Sequence, residues 1–110
     1  MAGKFEIYKD KAGEFRFRLK ASNGQNILGS EGYAKKASCM NGVESVRKNS
    51  QNPKRFEINK TPTGKWTFRL LAANGQTIGT SQTYASESGC RSGTGSVARS
   101  SAEATVDDQT

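Results

Sequence analysis

"SNGQNILGSEGYAK", Ser22 to Lys35, returns as "ANGQTIGTSQTYAS", Ala73 to Ser86. The offset is 51 residues, and it extends in both directions without a gap. Phe5, Glu6 and Ile7 return as Phe56, Glu57 and Ile58; Phe17, Arg18 and Leu19 return as Phe68, Arg69 and Leu70; Cys39, Gly42 and Val46 return as Cys90, Gly93 and Val97. A period near 50 that keeps core, turn and glycine positions describes two copies of one supersecondary unit. The 110 residues therefore read as a single domain of two pseudo-twofold repeats, about 1–52 and 53–110.

Working back from the quoted stretch, "FEIYKDKAGEFRFRLKA" alternates with period two. Phe5, Ile7, Phe15, Phe17, Leu19 and Ala21 fall on one face; Glu6, Tyr8, Arg16, Arg18 and Lys20 fall on the other. That is the pattern of a half-buried antiparallel hairpin. A three-residue loop, Lys11-Ala12-Gly13, with glycine in the left-handed position, sets Phe5 beside Leu19 and Ile7 beside Phe17. It also sets Glu6 opposite Arg18 and, in the second copy, Glu57 opposite Arg69. The next turn contains Asn23 and Gly24. A two-residue turn would pair Leu28 with Leu19 and leave Ile27 wet; a three-residue loop pairs Ile27 with Leu19. Ile27 is kept as Ile78 whereas Leu28 becomes Gly79, so the kept residue is expected to be the buried one and the longer loop is favoured.

Working forward, a third strand runs from Asn26 to Glu31. "YAKKASCMNGVESVRKN" then reads as a helix with Ala37, Met40, Val43 and Val46 on its apolar stripe. The second copy, "SESGCRSGTGSVARSSAEA", starts well at Ser86-Glu87 but carries Gly89, Gly93 and Gly95. Each interior glycine costs about 1 kcal/mol against alanine, so this helix is expected to be shorter or more mobile than the first. "ATVDD" is a candidate last strand. Two such units can share one sheet with both helices on its apolar side.

Phe17-Arg18-Leu19, Asn23-Gly24-Gln25, Ile27, Ser30, Tyr33, Gly42 and Ser45-Val46, with their counterparts, resemble the pattern of the YegP-like family of small bacterial proteins. The resemblance covers nearly the whole chain. It implies an α+β fold: tandem β3-α-β repeats forming a single antiparallel sheet, two helices packed on one face, and terminal strands exchanged between repeats. It implies no established activity. The chain departs from the family pattern where Gly-Thr-Gly replaces better helix formers in the second helix.

Composition narrows the function. The net charge is +7, with +5 carried by residues 1–52 and +2 by residues 53–110, so the basic excess is spread and nucleic acid stays among the candidate partners. The open face of the sheet would present Tyr8, Arg16, Arg18, Lys20 and Arg69, a basic stripe with one stacking ring, as single-stranded nucleic-acid binders do. Histidine is absent, which removes the commonest general base and neutral metal ligand, and two cysteines alone do not make an ordinary zinc site. No catalytic residue, cofactor or metal is expected. Cys39 and Cys90 read as small buried hydrophobes rather than as a redox pair. "SGTGSVARSS" from Ser92 lacks the lysine and the leading strand of a phosphate loop and reads as helix. The start, "MAGKFEIYKD", has no apolar signal segment, and no run approaches a membrane span. The expectation is a cytoplasmic monomer acting as a non-enzymatic interaction module, with nucleic-acid binding as the alternative.

Overall fold

The structure, a computed structural model, describes residues 3–110. Each repeat contributes three strands and a helix. The first holds β1 (Lys4–Lys9), β2 (Phe15–Lys20), β3 (Asn26–Ser30) and α1 (Lys36–Asn49). A 3-10 turn at Pro53–Arg55 leads to β4 (Phe56–Lys60), β5 (Trp66–Leu71), β6 (Thr77–Thr80) and α2 (Glu87–Ala102), and the chain closes with β7 (Thr105–Asp108). The fold is α+β, one sheet in the order β4-β5-β6-β3-β2-β1-β7. The repeats meet at its centre, where β3 pairs with β6 through Gly29 and Thr80, which are equivalent residues. The terminal strand is exchanged as expected: β7 follows the second repeat's helix and pairs with β1 of the first. That one pairing is parallel, so the sheet is mixed; its other ladders are antiparallel.

The hairpin register follows the alternation. Phe5 lies beside Leu19, Ile7 beside Phe17, Glu6 beside Arg18 and Glu57 beside Arg69. Gly13 closes the first loop with a φ of 82°, a conformation that favours glycine. The second turn corrects the expected pairing. The loop does have three residues, since the Ala21 N–H donates to the Gln25 carbonyl and the Gly24 N–H to the Ala21 carbonyl. Yet Leu19 faces Leu28, not Ile27, because the register shifts between Leu19 and Lys20. Ile27 is the extra residue of a β-bulge, so both Ile27 and Leu28 are buried. The same shift between Leu70 and Leu71 places Gly79 beside Leu70. At the other end of each ladder Ser30 and Ser81 take over: their hydroxyls accept the Phe17 and Phe68 N–H groups at 2.9 and 3.0 Å.

One apolar cluster joins both repeats, with Phe5, Phe17, Leu19, Leu28, Phe68 and Leu70 from the sheet and Val43, Val46 and Val97 from the helices. Two helix expectations are corrected. The buried stripe of α1 is Cys39, Gly42, Val43 and Val46; Ala37 is exposed and Met40 half-buried. And α2, at 16 residues against 14, is the longer helix. Its Gly93 has a packing role that outweighs propensity. A Cβ there would stand 2.4 Å from the Tyr84 hydroxyl and 3.0 Å from the Phe68 ring, as one at Gly42 would stand 2.6 Å from Tyr33 and 2.8 Å from Phe17. Glycine lets helix and sheet approach. Ser86 caps the helix start by accepting the Gly89 N–H at 3.0 Å.

Candidate functional site

The open face of the sheet carries the predicted stripe. Tyr8, Arg16, Arg18 and Lys20 lie together on β1 and β2, while Arg69 sits on β5. With β6 and β3 between β5 and β2, Arg69 stands about 14 Å from the β2 cations and about 19 Å from Tyr8 on β1 at ordinary strand spacing.

These cations are engaged by carboxylates. Glu6 receives Arg18 at 2.6 Å, Lys20 at 3.2 Å and Lys4 at 3.7 Å. Its residue exposure is 5%, an unusual depth for a carboxylate on a solvent-facing sheet. The hydrogen bond from Arg18 holds the Glu6 carboxyl below its usual range, against a desolvation that pushes it up. Arg16 donates to Asp10 at 2.7 Å, and Asp10 also accepts the Ala12 and Glu14 N–H groups. Arg69 pairs with Glu57, which also takes a bond from Asn59. The Arg18 guanidinium covers the Tyr8 ring, 4.4 Å from its centroid. A single-stranded nucleic-acid platform needs unpaired cations and bare rings; this stripe holds paired cations and a ring already capped.

The other candidates are structural. Cys39 and Cys90 are free and wholly buried, and desolvation pushes both thiols up, away from the reactive thiolate. "SGTGSVARSS" lies inside α2. Tyr33 and Tyr84 anchor the strand-to-helix corners, bridging Phe15 and Trp66 and stacking on Phe17 and Phe68. Gln76 lines a cleft of about 210 Å³ between α1 and the β5–β6 hairpin. A neighbouring cleft of about 450 Å³ holds Lys48 and Asn74.

Two features escaped sequence reasoning. Arg47, half-buried, donates to the Ser101 and Ala104 carbonyls at 3.2 and 2.8 Å and lies 5.3 Å from the Phe5 ring centroid. It ties α1 to the end of α2 just before β7; its counterpart is Ala98, so the repeat gave no signal. The second feature is the inequality of the sheet's ends. β7 covers the outer edge of β1, and Phe5 and Ile7 are fully buried. Their counterparts Phe56 and Ile58, on the terminal strand β4, are only half-buried.

A family model, "Domain of unknown function (DUF1508)", matches this chain twice, over residues 10–57 and 63–108. The chain belongs to the DUF1508 family. Each match ends in the strand after a helix, β4 in the first and β7 in the second, so β7 stands in the family repeat where the start of β4 stands. Relatives in that family include the "UPF0339 protein in ptx operon 5'region" of Stutzerimonas stutzeri, 55% identical over 96% of each chain. The "UPF0339 protein YegP" of Escherichia coli strain K12 is 46% identical over the full length of both. Among solved structures, the solution structure of E. coli YegP, described as a protein of unknown function, matches with a TM-score of 0.94 at 45% identity, covering 100% of this chain and 95% of that one. A Shewanella oneidensis UPF0339 protein gives 0.91 at 42% identity, covering 98% and 92%. The DUF1508 family thus has a shared fold and no established biochemical function.

Proposed function

We propose that this protein is a non-enzymatic interaction module, a cytoplasmic monomer that engages a partner protein through the open β4 end of its sheet. One observation carries the reading. β1 and β4 are the equivalent first strands of the two repeats, and among the described residues only β1 is covered; β4 keeps a free edge with Phe56 and Ile58 half-buried beneath it. An unpaired strand edge is a template for another strand. The free thiols suit a reducing compartment, and no helix among the described residues is long and apolar enough to cross a membrane. The internal pairing of β3 with β6 already supplies what a dimer of single repeats would.

The test is capture from nuclease-treated bacterial lysate on immobilised wild type and on Ile58→Lys, an edge lysine of the kind that blocks strand addition. A protein retained by wild type and released by the variant supports the module. Identical retention by both removes the edge from the account.

A further inference from the structure

The module reading leaves the partner's chemistry open, and the repeat supplies it, because β7 is a built-in example of a strand added to this sheet. β7 runs parallel to β1, with Val106 beside Phe5, Asp107 beside Glu6 and Asp108 beside Ile7. The Ile7 carbonyl accepts the Gln109 N–H at 2.8 Å and the Gly3 carbonyl accepts the Thr105 N–H at 3.3 Å. The odd-numbered residues of β1 therefore turn their backbone groups outward, and the even ones turn theirs toward β2. A charge fixes the far end: Lys36, the first residue of α1, pairs with Asp108.

The 51-residue offset transfers each part to β4. Phe56 and Ile58 turn their N–H and C=O groups to the open edge. The residue in the place of Lys36 is Glu87, the first residue of α2. The sign of the end charge is reversed. Glu87 is half-buried and paired with Arg91 alone among the described residues, at 2.9 Å. A second copy's β7 would bring Asp108 against Glu87, a like-charge contact.

We infer that the β4 edge docks an extended segment of a partner protein, parallel to β4, with a small apolar residue beside Phe56 and a lysine or arginine beside Ile58. This inference rests on the module reading and assigns its partner. Main-chain hydrogen bonds to Phe56 and Ile58 supply the adhesion, as in strand addition generally. The basic residue meeting Glu87 supplies the choice of partner.

The test uses two capped peptides patterned on the sequence of β7, Ala-Thr-Val-Asp-Lys-Gln and Ala-Thr-Val-Asp-Asp-Gln, titrated to about 1 mM into isotopically labelled protein while amide signals and exchange rates are followed. In the free protein the Phe5 and Ile7 amides exchange slowly and those of Phe56 and Ile58 fast. The lysine peptide shifts and protects Phe56 and Ile58, and binds about three- to tenfold tighter than the aspartate peptide, less so at high salt. Glu87→Lys inverts the preference and Glu87→Gln abolishes it, each variant first checked for a native spectrum. Equal affinities, a preference untouched by Glu87→Lys, shifts confined to β1, or no shift at all overturn the inference. So does a dimer whose Phe56 and Ile58 amides are protected before peptide is added. If edge-dependent capture from lysate persists while the peptide preference fails, the module stands and only this partner chemistry falls.

Discussion

Glu6 and Glu57 hold one position of the repeat and live in different surroundings. The Glu6 side chain is 6% exposed with three cations around it; that of Glu57 is 41% exposed and meets Arg69 and Asn59. The difference has two sources: Lys20, which pairs with Glu6, is replaced by Leu71 in the second repeat, and the neighbouring strand differs. Asp107 of β7 lies beside Glu6 and shares Lys4 with it, and among the described residues β4 has no such neighbour. Removing a largely desolvated charge from a network leaves Arg18 and Lys20 uncompensated, so Glu6→Gln is expected to cost about 1–3 kcal/mol. Glu57→Gln is expected to cost less than Glu6→Gln, as removal of an exposed pair does. Urea unfolding separates the two. The paired carboxylates also set the pH dependence. The Glu6 carboxyl is depressed by its bond from Arg18, and Asp108 is held at about 2 by Lys36. A depressed carboxyl stabilises the fold above the ordinary carboxylate range and loses that contribution as pH falls through its folded value. Stability should therefore decline between about pH 5 and pH 2. The slope should flatten in Glu6→Gln; parallel profiles for variant and wild type would contradict the role given to Glu6.

At the scale of elements, α2 tests whether packing or propensity governs. At Gly93 a Cβ would meet the Tyr84 hydroxyl at 2.4 Å, closer than a Cβ tolerates, and the Phe68 ring at 3.0 Å, whereas at Gly95 it would meet only the far end of the Arg99 side chain, at 3.0 Å. Gly93→Ala is expected to destabilise by about 1–3 kcal/mol despite its better propensity. Gly95→Ala is expected to stabilise by about 0.5–1 kcal/mol. Thermal unfolding of the two variants would refute this if their order were reversed. The pair also shows what a sequence discloses. Period-two alternation and a turn glycine were enough for the pairing of Phe5 with Leu19 and Glu6 with Arg18, because those rules are local. The length of α2 was not legible, because Gly93 reads as a weak helix former until Tyr84 is seen above it. The Ile27 bulge was hidden too, since inserting one residue leaves the apolar letters unchanged. The candidate stripe was legible as a face but not as a charge balance: Arg16 meets Asp10 from a turn, and Glu6 is buried by a strand about a hundred residues away. The open β4 edge became visible only when both sheet ends could be compared.

The whole molecule is a pseudo-twofold object, and its axis is where identical halves cannot both be served. The equivalent hydroxyls of Ser50 and Ser101 share a hydrogen bond of 2.8 Å in the interior, and Gly29 faces Thr80 in the sheet. Beside that pair, Leu28 and Gly79 are counterparts with opposite volumes. Leu28 is fully buried, and a Cβ on Gly79 would lie 2.9 Å from its Cγ and 3.1 Å from the Gly29 carbonyl. One large and one absent side chain fill a space that two leucines would overfill and two glycines would leave hollow. This explains on physical grounds why the repeat breaks at this position. Leu28→Gly alone is expected to cost about 2–5 kcal/mol through the cavity it leaves. Gly79→Leu alone is expected to cost about 1–3 kcal/mol through overpacking. The exchanged protein, Leu28→Gly with Gly79→Leu, refills the same space from the other repeat. Its destabilisation should then fall short of the sum of the single changes by about 1–3 kcal/mol, the coupling expected of residues that share one cavity. Urea titration of the four proteins measures that coupling directly. Strict additivity would mean that Leu28 and Gly79 do not compete for one volume, and the asymmetry of the repeat would need another cause.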